Sequence, residues 1–269
     1  MNRLYVVALI ALGFIPNMAS AVDIKNIRPC WGPFGATRFD AKCLPGDILN
    51  IAYEIEGLAL DPKTKKFSYD TTLEMLDGSG KVLFKKPTPA VAVPELGGTT
   101  MPGDLFVTLG DKQAPGKYSI RLTINDKVAS AGKAFKYDFE VLPEAVGFIQ
   151  VSAPAVGFTG QFHAPQFLLV NLTLDAKTKL PDAVVTINIL NDKGKPVSEP
   201  AKMVLKTADS LPEGTDLEKE NVIPVRHPVY LNRTGVYTIE IVANDKSGKK
   251  ESKLSYPLTV LDVGSFANK

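Results

Sequence analysis

The sequence predicts an all-β protein of two tandem antiparallel β-sandwiches, and three observations carry that prediction. The first is a repeat. Residues 114–126 read Ala-Pro-Gly-Lys-Tyr-Ser-Ile-Arg-Leu-Thr-Ile-Asn-Asp and residues 233–245 read Arg-Thr-Gly-Val-Tyr-Thr-Ile-Glu-Ile-Val-Ala-Asn-Asp, with Gly, Tyr, Ile and Asn-Asp in matching places. Two copies imply two similar domains. The second is alternation with a period of two: Tyr118, Ile120, Leu122 and Ile124 interleave with Ser119, Arg121 and Thr123, which puts the apolar set on one buried face of a strand. Tyr237, Ile239, Ile241 and Ala243 repeat the pattern. The third is composition: 45% hydrophobic residues allow sizeable cores, and 20 Pro with 21 Gly supply the turns that many short strands need. Helical periodicity is scarcely visible, and residues 216–221 offer no more than a turn.

Each repeated strand starts from a tight turn, Pro115-Gly116 in the first copy and residues 232–235 in the second. Gly-x-Tyr at the start of a long strand resembles the corner before strand F of immunoglobulin-like sandwiches, where the Tyr hydroxyl bonds to upstream backbone. The resemblance implies that role for Tyr118 and Tyr237. In immunoglobulins proper a Cys stands two residues after the Tyr; here Ile120 and Ile239 stand there, so the likeness is to bacterial Ig-like or fibronectin-III-like modules without the inter-sheet disulfide. It covers most of the chain and brings no catalytic or binding motif with it.

Residues 1–21 read as a signal peptide. Arg3 gives a positive start, residues 4–15 are an almost unbroken apolar run too short to span a bilayer, and Ala19-Ser20-Ala21 is a small-x-small cleavage site. The chain from residue 22 is then exported, to periplasm or exterior, with no membrane span. Of the 31 Lys+Arg only Arg3 lies in the leader, leaving 30 against 29 Asp+Glu; that near-neutral balance argues against nucleic acid.

Strands follow in order. Leu49, Ile51, Tyr53 and Ile55 alternate cleanly, residues 77–80 make a hairpin turn, and the Pro-rich stretch 87–103 suggests an edge or crossing segment. Phe135, Tyr137, Phe139 and Val141 close the first domain, residues 22–142. A short linker leads to the second, residues 146–262, and suggests a semi-rigid pair. Asp61 and Asp175 head matching turns and differ by 114, as do Leu76 and Leu190, whereas Tyr118 and Tyr237 differ by 119. Five extra residues in the second domain therefore fall between Lys195 and Gly235. Pro257, inside the last strand, predicts an edge position or a nitrogen facing outward.

The only cysteines, Cys30 and Cys43, are expected to pair in an exported chain, stabilising it by about 3 kcal/mol. Trp31 and Phe34 in that loop form a candidate ligand platform for a sugar ring; the competing expectation is that Trp31 covers the disulfide and caps the first core. Phe158, Phe162 and Phe167 are a candidate cluster at the domain junction. Lys63, Lys65, Lys66, Lys81, Lys85 and Lys86 either favour an anionic polymer or, more simply, form a solvated surface.

The chemistry of an enzyme is not recognisable. The two histidines, His163 and His227, lie beside Pro in expected loops and read as solvated, with no metal-binding spacing. Asp61, Asp77, Asp111, Asp126 and Asp245 sit at turns where sandwich modules sometimes hold calcium, yet no Asp-x-Asp-x-Asp-Gly loop occurs. Asn171 and Asn232 open sequons that a bacterial-style chain leaves unmodified. The expectation is a non-enzymatic binding, adhesion or scaffolding protein without cofactor, whose partner is an envelope protein or polysaccharide. The alternatives are a carbohydrate-binding protein using the loop aromatics and a periplasmic two-domain chaperone that captures subunits by strand addition.

Overall fold

The computed structural model describes residues 22–266, apart from 214, 216 and 218–220. The expected leader, and most of the 216–221 turn, lie outside the described residues. The described chain is all-β, without an α-helix. In the first unit the strands are β1 (Asp23–Trp31), β2 (Ala36–Thr37), β3 (Lys42–Cys43), β4 (Ile48–Glu56), β5 (Phe67–Asp77), β6 (Val82–Ala92), β7 (Met101–Thr108), β8 (Gly116–Asp126) and β9 (Ala131–Val141). The second unit has β10 (Gly147–Ser152), β11 (Val156–Phe158), β12 (Phe162–His163), β13 (Gln166–Val170), β14 (Ala183–Leu190), β15 (Ala201–Leu205), β16 (Val222–Arg226), β17 (Val229–Tyr230), β18 (Gly235–Asp245) and β19 (Lys250–Leu261).

Alternation makes each unit two layers around a core. In the first, a sheet ordered β2-β1-β4-β7 opposes one ordered β3-β9-β8-β5-β6; in the second, β10-β13-β16 opposes β11-β19-β18-β14-β15, with β12-β17 as a small extra pair. Leu49, Ile51 and Ile55 of β4 meet Ile120, Leu122 and Ile124 of β8, and all are almost fully buried. In the second unit Leu169 and Ile223 meet Ile239, Ile241 and Tyr256 in the same way. Each such side chain contributes about 1.5–3 kcal/mol by leaving water. All strand pairs are antiparallel except β3 with β9 and β11 with β19.

The duplication is written in backbone conformation as well as in sequence. Left-handed residues recur at the expected offsets: Lys65 and Lys179 (φ 56 and 57°), Gly80 and Gly194 (φ 86 and 70°), Gly116 and Gly235 (φ 150 and 149°), Ser130 and Lys249 (φ 54 and 52°). Asn26 and Gln150, both at φ 51°, sit at matching bulges in β1 and β10, but they differ by 124. Cys43 and Gly157 face the matching residues Val141 and Val260 and differ by 114. The first unit therefore carries ten extra residues between Asn26 and Cys43, an insertion that repeat matching of the turns leaves unseen.

Prolines mark the edges. Pro87 and Pro89 lie in β6, the outer strand of its sheet, where a residue without N–H is tolerated only with its nitrogen turned away from the ladder. Pro257 obeys the same rule: the Thr259 N–H, two residues on, donates to Ala155 O at 2.9 Å across the free side of β19, and β11 begins only there.

Two buried aspartates tie the layers together. Asp126 Oδ2 accepts from Ala59 N at 2.6 Å, while its Oδ1 accepts from Val128 and Ala129 N at 2.7 and 3.1 Å. Asp245 repeats this with Thr173 N at 3.0 Å and Gly248 N at 3.0 Å. Each carboxylate joins a hairpin of one sheet to the chain leaving the other. Asp126→Ala removes the acceptor of three amides, those of Ala59, Val128 and Ala129, in partly buried bonds, and the expected cost is about 1–3 kcal/mol, read as a lower urea midpoint with an unchanged slope.

Candidate functional site

The ten-residue insertion forms a strap onto the second unit. Trp31 and Ala36 are buried in the second unit's core, not the first's. The Ala36 N–H donates to Ala153 O at 2.7 Å, and the Ala153 N–H returns to Trp31 O at 3.0 Å. The turn between them needs Gly35, because a Cβ there would lie 2.0 Å from the Trp31 carbonyl oxygen. Beside it, Arg38 Nη1 meets Asp47 Oδ2 at 3.0 Å with both side chains almost fully buried. The guanidinium carbon stands 4.2 Å from the centroid of the Trp31 ring, its Nε reaches Asp40 at 3.0 Å, and Nη2 donates to Lys42 O. Burial opposes the Arg38 charge, but the Asp47 and Asp40 carboxylates outweigh it and hold its pKa above the usual value. Asp47 Oδ1 accepts from Gln150 N at 2.8 Å, across the boundary, and Leu44, Ile149 and Val170 pack alongside.

The expected disulfide is not formed: Cys30 and Cys43 are buried free thiols. The reason is the facing of two strands. Cys30 pairs with Asn50 on the outward face of its sheet, with Arg28 Nη1 3.0 Å from its sulfur, whereas Cys43 belongs to the apolar core of the first unit. Two sulfurs on opposite sides of a sheet cannot reach bonding distance. Burial pushes the Cys43 thiol up to about 12 and also raises that of Cys30.

Trp31 and Phe34 do not form a platform. Trp31 is 6% exposed beneath Arg38, so it caps the second core and not the first, while Phe34 is 47% exposed. The three phenylalanines do not meet at the junction either. Phe167 stands edge-on to Phe148, centroids 5.1 Å apart, inside the second core, and exposed Phe162 pairs with Tyr230 at 5.2 Å. The tyrosine hydroxyls bond upstream backbone: Tyr118 to Ala114 O at 2.7 Å, Tyr237 to Arg233 O and Thr234 O, both at 3.2 Å.

His163 is buried, not solvated, with Nε2 3.1 Å from the hydroxyl of fully buried Tyr256; His227 is partly exposed. The turn aspartates are held by backbone amides. Asp61 accepts from Lys63 and Thr64 N at 2.8 and 2.9 Å, and Asp77 from Ser79 and Lys81 N at 2.9 and 3.0 Å. No group of three or more His, Cys, Asp or Glu gathers among the described residues. Of the lysines, Lys85 joins Arg121 in flanking Glu74, at 3.1 and 2.6 Å.

An open cleft of about 730 Å³ lies at one end of the second unit. Its floor is the inward face of the sheet: Ile189, Tyr237, Ile239 and Leu258. Its rim carries Asp192, Asn232 and Arg233, which have no side-chain hydrogen bond or ion pair among the described residues, and the 55% exposed Tyr230. Sequence reasoning reached the floor through alternation. The rim escaped it, because these residues come from separate turns and carry no spacing rule.

No protein-family model and no curated protein matches the chain. Among solved structures, a chain of the Pseudomonas fluorescens alkylpurine DNA glycosylase AlkC, bound to DNA containing an abasic site analog, is similar over 47% of this chain and 31% of that one, at 15% identity and a TM-score of 0.29. At that TM-score the likeness carries no argument.

Two measurements follow from these contacts. Asp47→Ala leaves Arg38 charged and buried and orphans the Gln150 amide, so a loss of about 3–5 kcal/mol is expected in chemical denaturation, with Arg38→Met costing less. Burial lowers the His163 pKa below its ordinary value. The unfolded chain then takes up a proton below about pH 6.5 that the folded chain refuses, so this contribution to stability is complete above that pH and is lost as the pH falls. His163→Gln should flatten the fall in melting temperature between pH 6.5 and 5.

Proposed function

We propose that this is an exported, non-enzymatic binding, adhesion or scaffolding protein built of two Ig-like sandwiches, with an envelope protein or polysaccharide as its partner. The observation that carries this reading is the filled junction. A two-domain enzyme ordinarily gathers its reacting groups in the space between domains. Here that space is occupied by Trp31, the Arg38–Asp47 pair, Leu44 and Ile149, which bind the two units to each other and leave outer surfaces for recognition. The tyrosine corners and the repeated offsets support the Ig-like assignment.

The chaperone reading is weaker. Strand addition needs a long edge with free donors. The longest edge strand, β6, has Pro87 and Pro89 at its centre, and the β8–β9 hairpin closes tightly between Asp126 and Ala131 instead of presenting an extended loop.

The test is retention of the exported protein by its own organism's envelope, fractionated into polysaccharide and protein, at low and physiological salt. Saturable, salt-resistant retention by one fraction is expected. Absence of retention by both would overturn the proposal.

A further inference from the structure

We infer that β7 is a docking edge for an extended segment of a protein partner, which adds to the smaller sheet of the first unit as a further strand. This rests on the proposed binding role and assigns it a protein segment, not a polysaccharide, as partner.

The first support is a mismatch between layers. In the first unit four strands, β2-β1-β4-β7, oppose five, β3-β9-β8-β5-β6. Because β1 lies against β9, β6 overhangs β7 by one strand. Phe84 of β6 pairs with Met75 and Lys86 with Leu73, so both side chains point to the core side of their sheet. No strand of the other sheet covers them there: Phe84 is 47% exposed, and every residue from Val82 to Pro89 is exposed. Residues 95–100, in the loop that crosses from β6 to β7, are exposed as well and leave this ledge bare.

The second is the hydrogen bonding of β7. The Leu109 N–H donates to Asp47 O at 2.9 Å, and Pro102, which has no N–H, pairs with Glu54, so the odd-numbered residues bond β4 and the even ones face the free side. The N–H groups of Asp104, Phe106 and Thr108 are thus donors without backbone partners among the described residues, and all three residues are exposed. The other edges are closed or short. Strand β6 has Pro87 and Pro89, β16 has Pro224 at its centre, and β10 is held by the strap. Strands β2, β3 and β11 have two or three residues, and β15 has five, with Lys202 exposed.

The overhang decides the occupant. A second copy pairing its own β7 antiparallel across a two-fold axis would drive each β6 into the place of the other's β5, whereas a single strand fits. A strand laid along β7 turns alternate side chains onto the ledge, against Phe84 and the partly buried Leu73, and these are apolar. One of them meets Lys86 and is an acid: Lys85 is held by Glu74, but Lys86 has no ion pair among the described residues. The opposite set lies beside Phe106, 59% exposed, and the Asp104 carboxylate, where a basic or hydroxyl side chain fits. With eight residues, and Pro102 among its edge-facing positions, β7 suits one short segment of a folded protein and not the long edge of a subunit-capturing chaperone.

The test follows isotope-labelled protein, purified after export, by NMR during titration with synthetic peptides as long as β7. The peptides alternate Thr with Val and carry one Glu, placed at each Val position in turn. For at least one Glu position, saturable shifts centred on Asp104, Phe106 and Thr108 are expected at about 1 mM peptide or below, with slowed hydrogen exchange of those three amides. N-methylation of alternate peptide amides should abolish binding in one register and spare it in the other. Phe106→Pro removes a donor where Pro102 shows that the edge accepts proline, and should lower affinity at least about tenfold with little change in melting temperature. Lys86→Glu, at an exposed position, should exchange the preference for Glu for one for Lys at the same peptide position.

No saturable binding by any peptide, shifts away from β7, equal effects of the two N-methylation registers, or undiminished affinity in Phe106→Pro would overturn the inference. So would a dimer in sedimentation whose interface is β7, or retention by the polysaccharide fraction alone. Retention by the envelope also keeps the two ideas apart. If the wild type is retained but binds no peptide, the docking edge falls and the binding role stands. If it is neither retained nor binds peptide, both fall.

Discussion

Everything about the arrangement of the two units turns on one buried charge. Arg38 is drawn out of water at the boundary, where desolvation alone would be prohibitive, and it is stable there because Asp47, Asp40, a backbone carbonyl and the face of Trp31 surround it. Asp47 in turn holds the amide of Gln150 in the second unit. A pair of this kind adds little net stability compared with an apolar substitute, but it demands one geometry. That demand orients the strap, which places Trp31 and Ala36 in a core to which the first unit does not otherwise belong.

The strap also explains how two copies of one fold became different parts. Turn aspartates, left-handed residues and inter-layer carboxylates recur at fixed offsets, so the copies share their mechanics. They diverge where length was added or volume lost. The insertion of the first unit reaches outward to its neighbour, and where the first unit packs Phe139 on Tyr118 the second has Leu258 beside Tyr237. Duplication supplied the frame, and these two departures supplied the individuality.

Most of the frame was legible in the sequence because it obeys local rules. Alternation at Tyr118–Ile124 and Leu49–Ile55 fixes the inner faces, Pro87, Pro89 and Pro257 announce edges, and the repeated turns announce the duplication. What failed were statements about which side of a sheet, or which core, a residue joins. Cys30 and Cys43 are close in sequence and suit an oxidising compartment, yet they occupy opposite sides of a strand layer. Trp31 sits beside Cys30 but packs into the other unit. His163 reads as a loop residue because Pro165 follows closely, and only the distant Tyr256 makes it a buried one. The cleft rim could not be found at all, since Asp192, Asn232 and Tyr230 are brought together solely by the way the strands end.

The strap gives the molecule a second connection besides the peptide that links its halves. The chain leaves the first unit at Trp31, threads part of its length into the second, and returns before Cys43, while the covalent passage occurs separately near residues 143–145. A single proteolytic nick in that passage would therefore cut the backbone without parting the halves. The two fragments would remain a clasped heterodimer, and the orientation of the outer faces would survive the break.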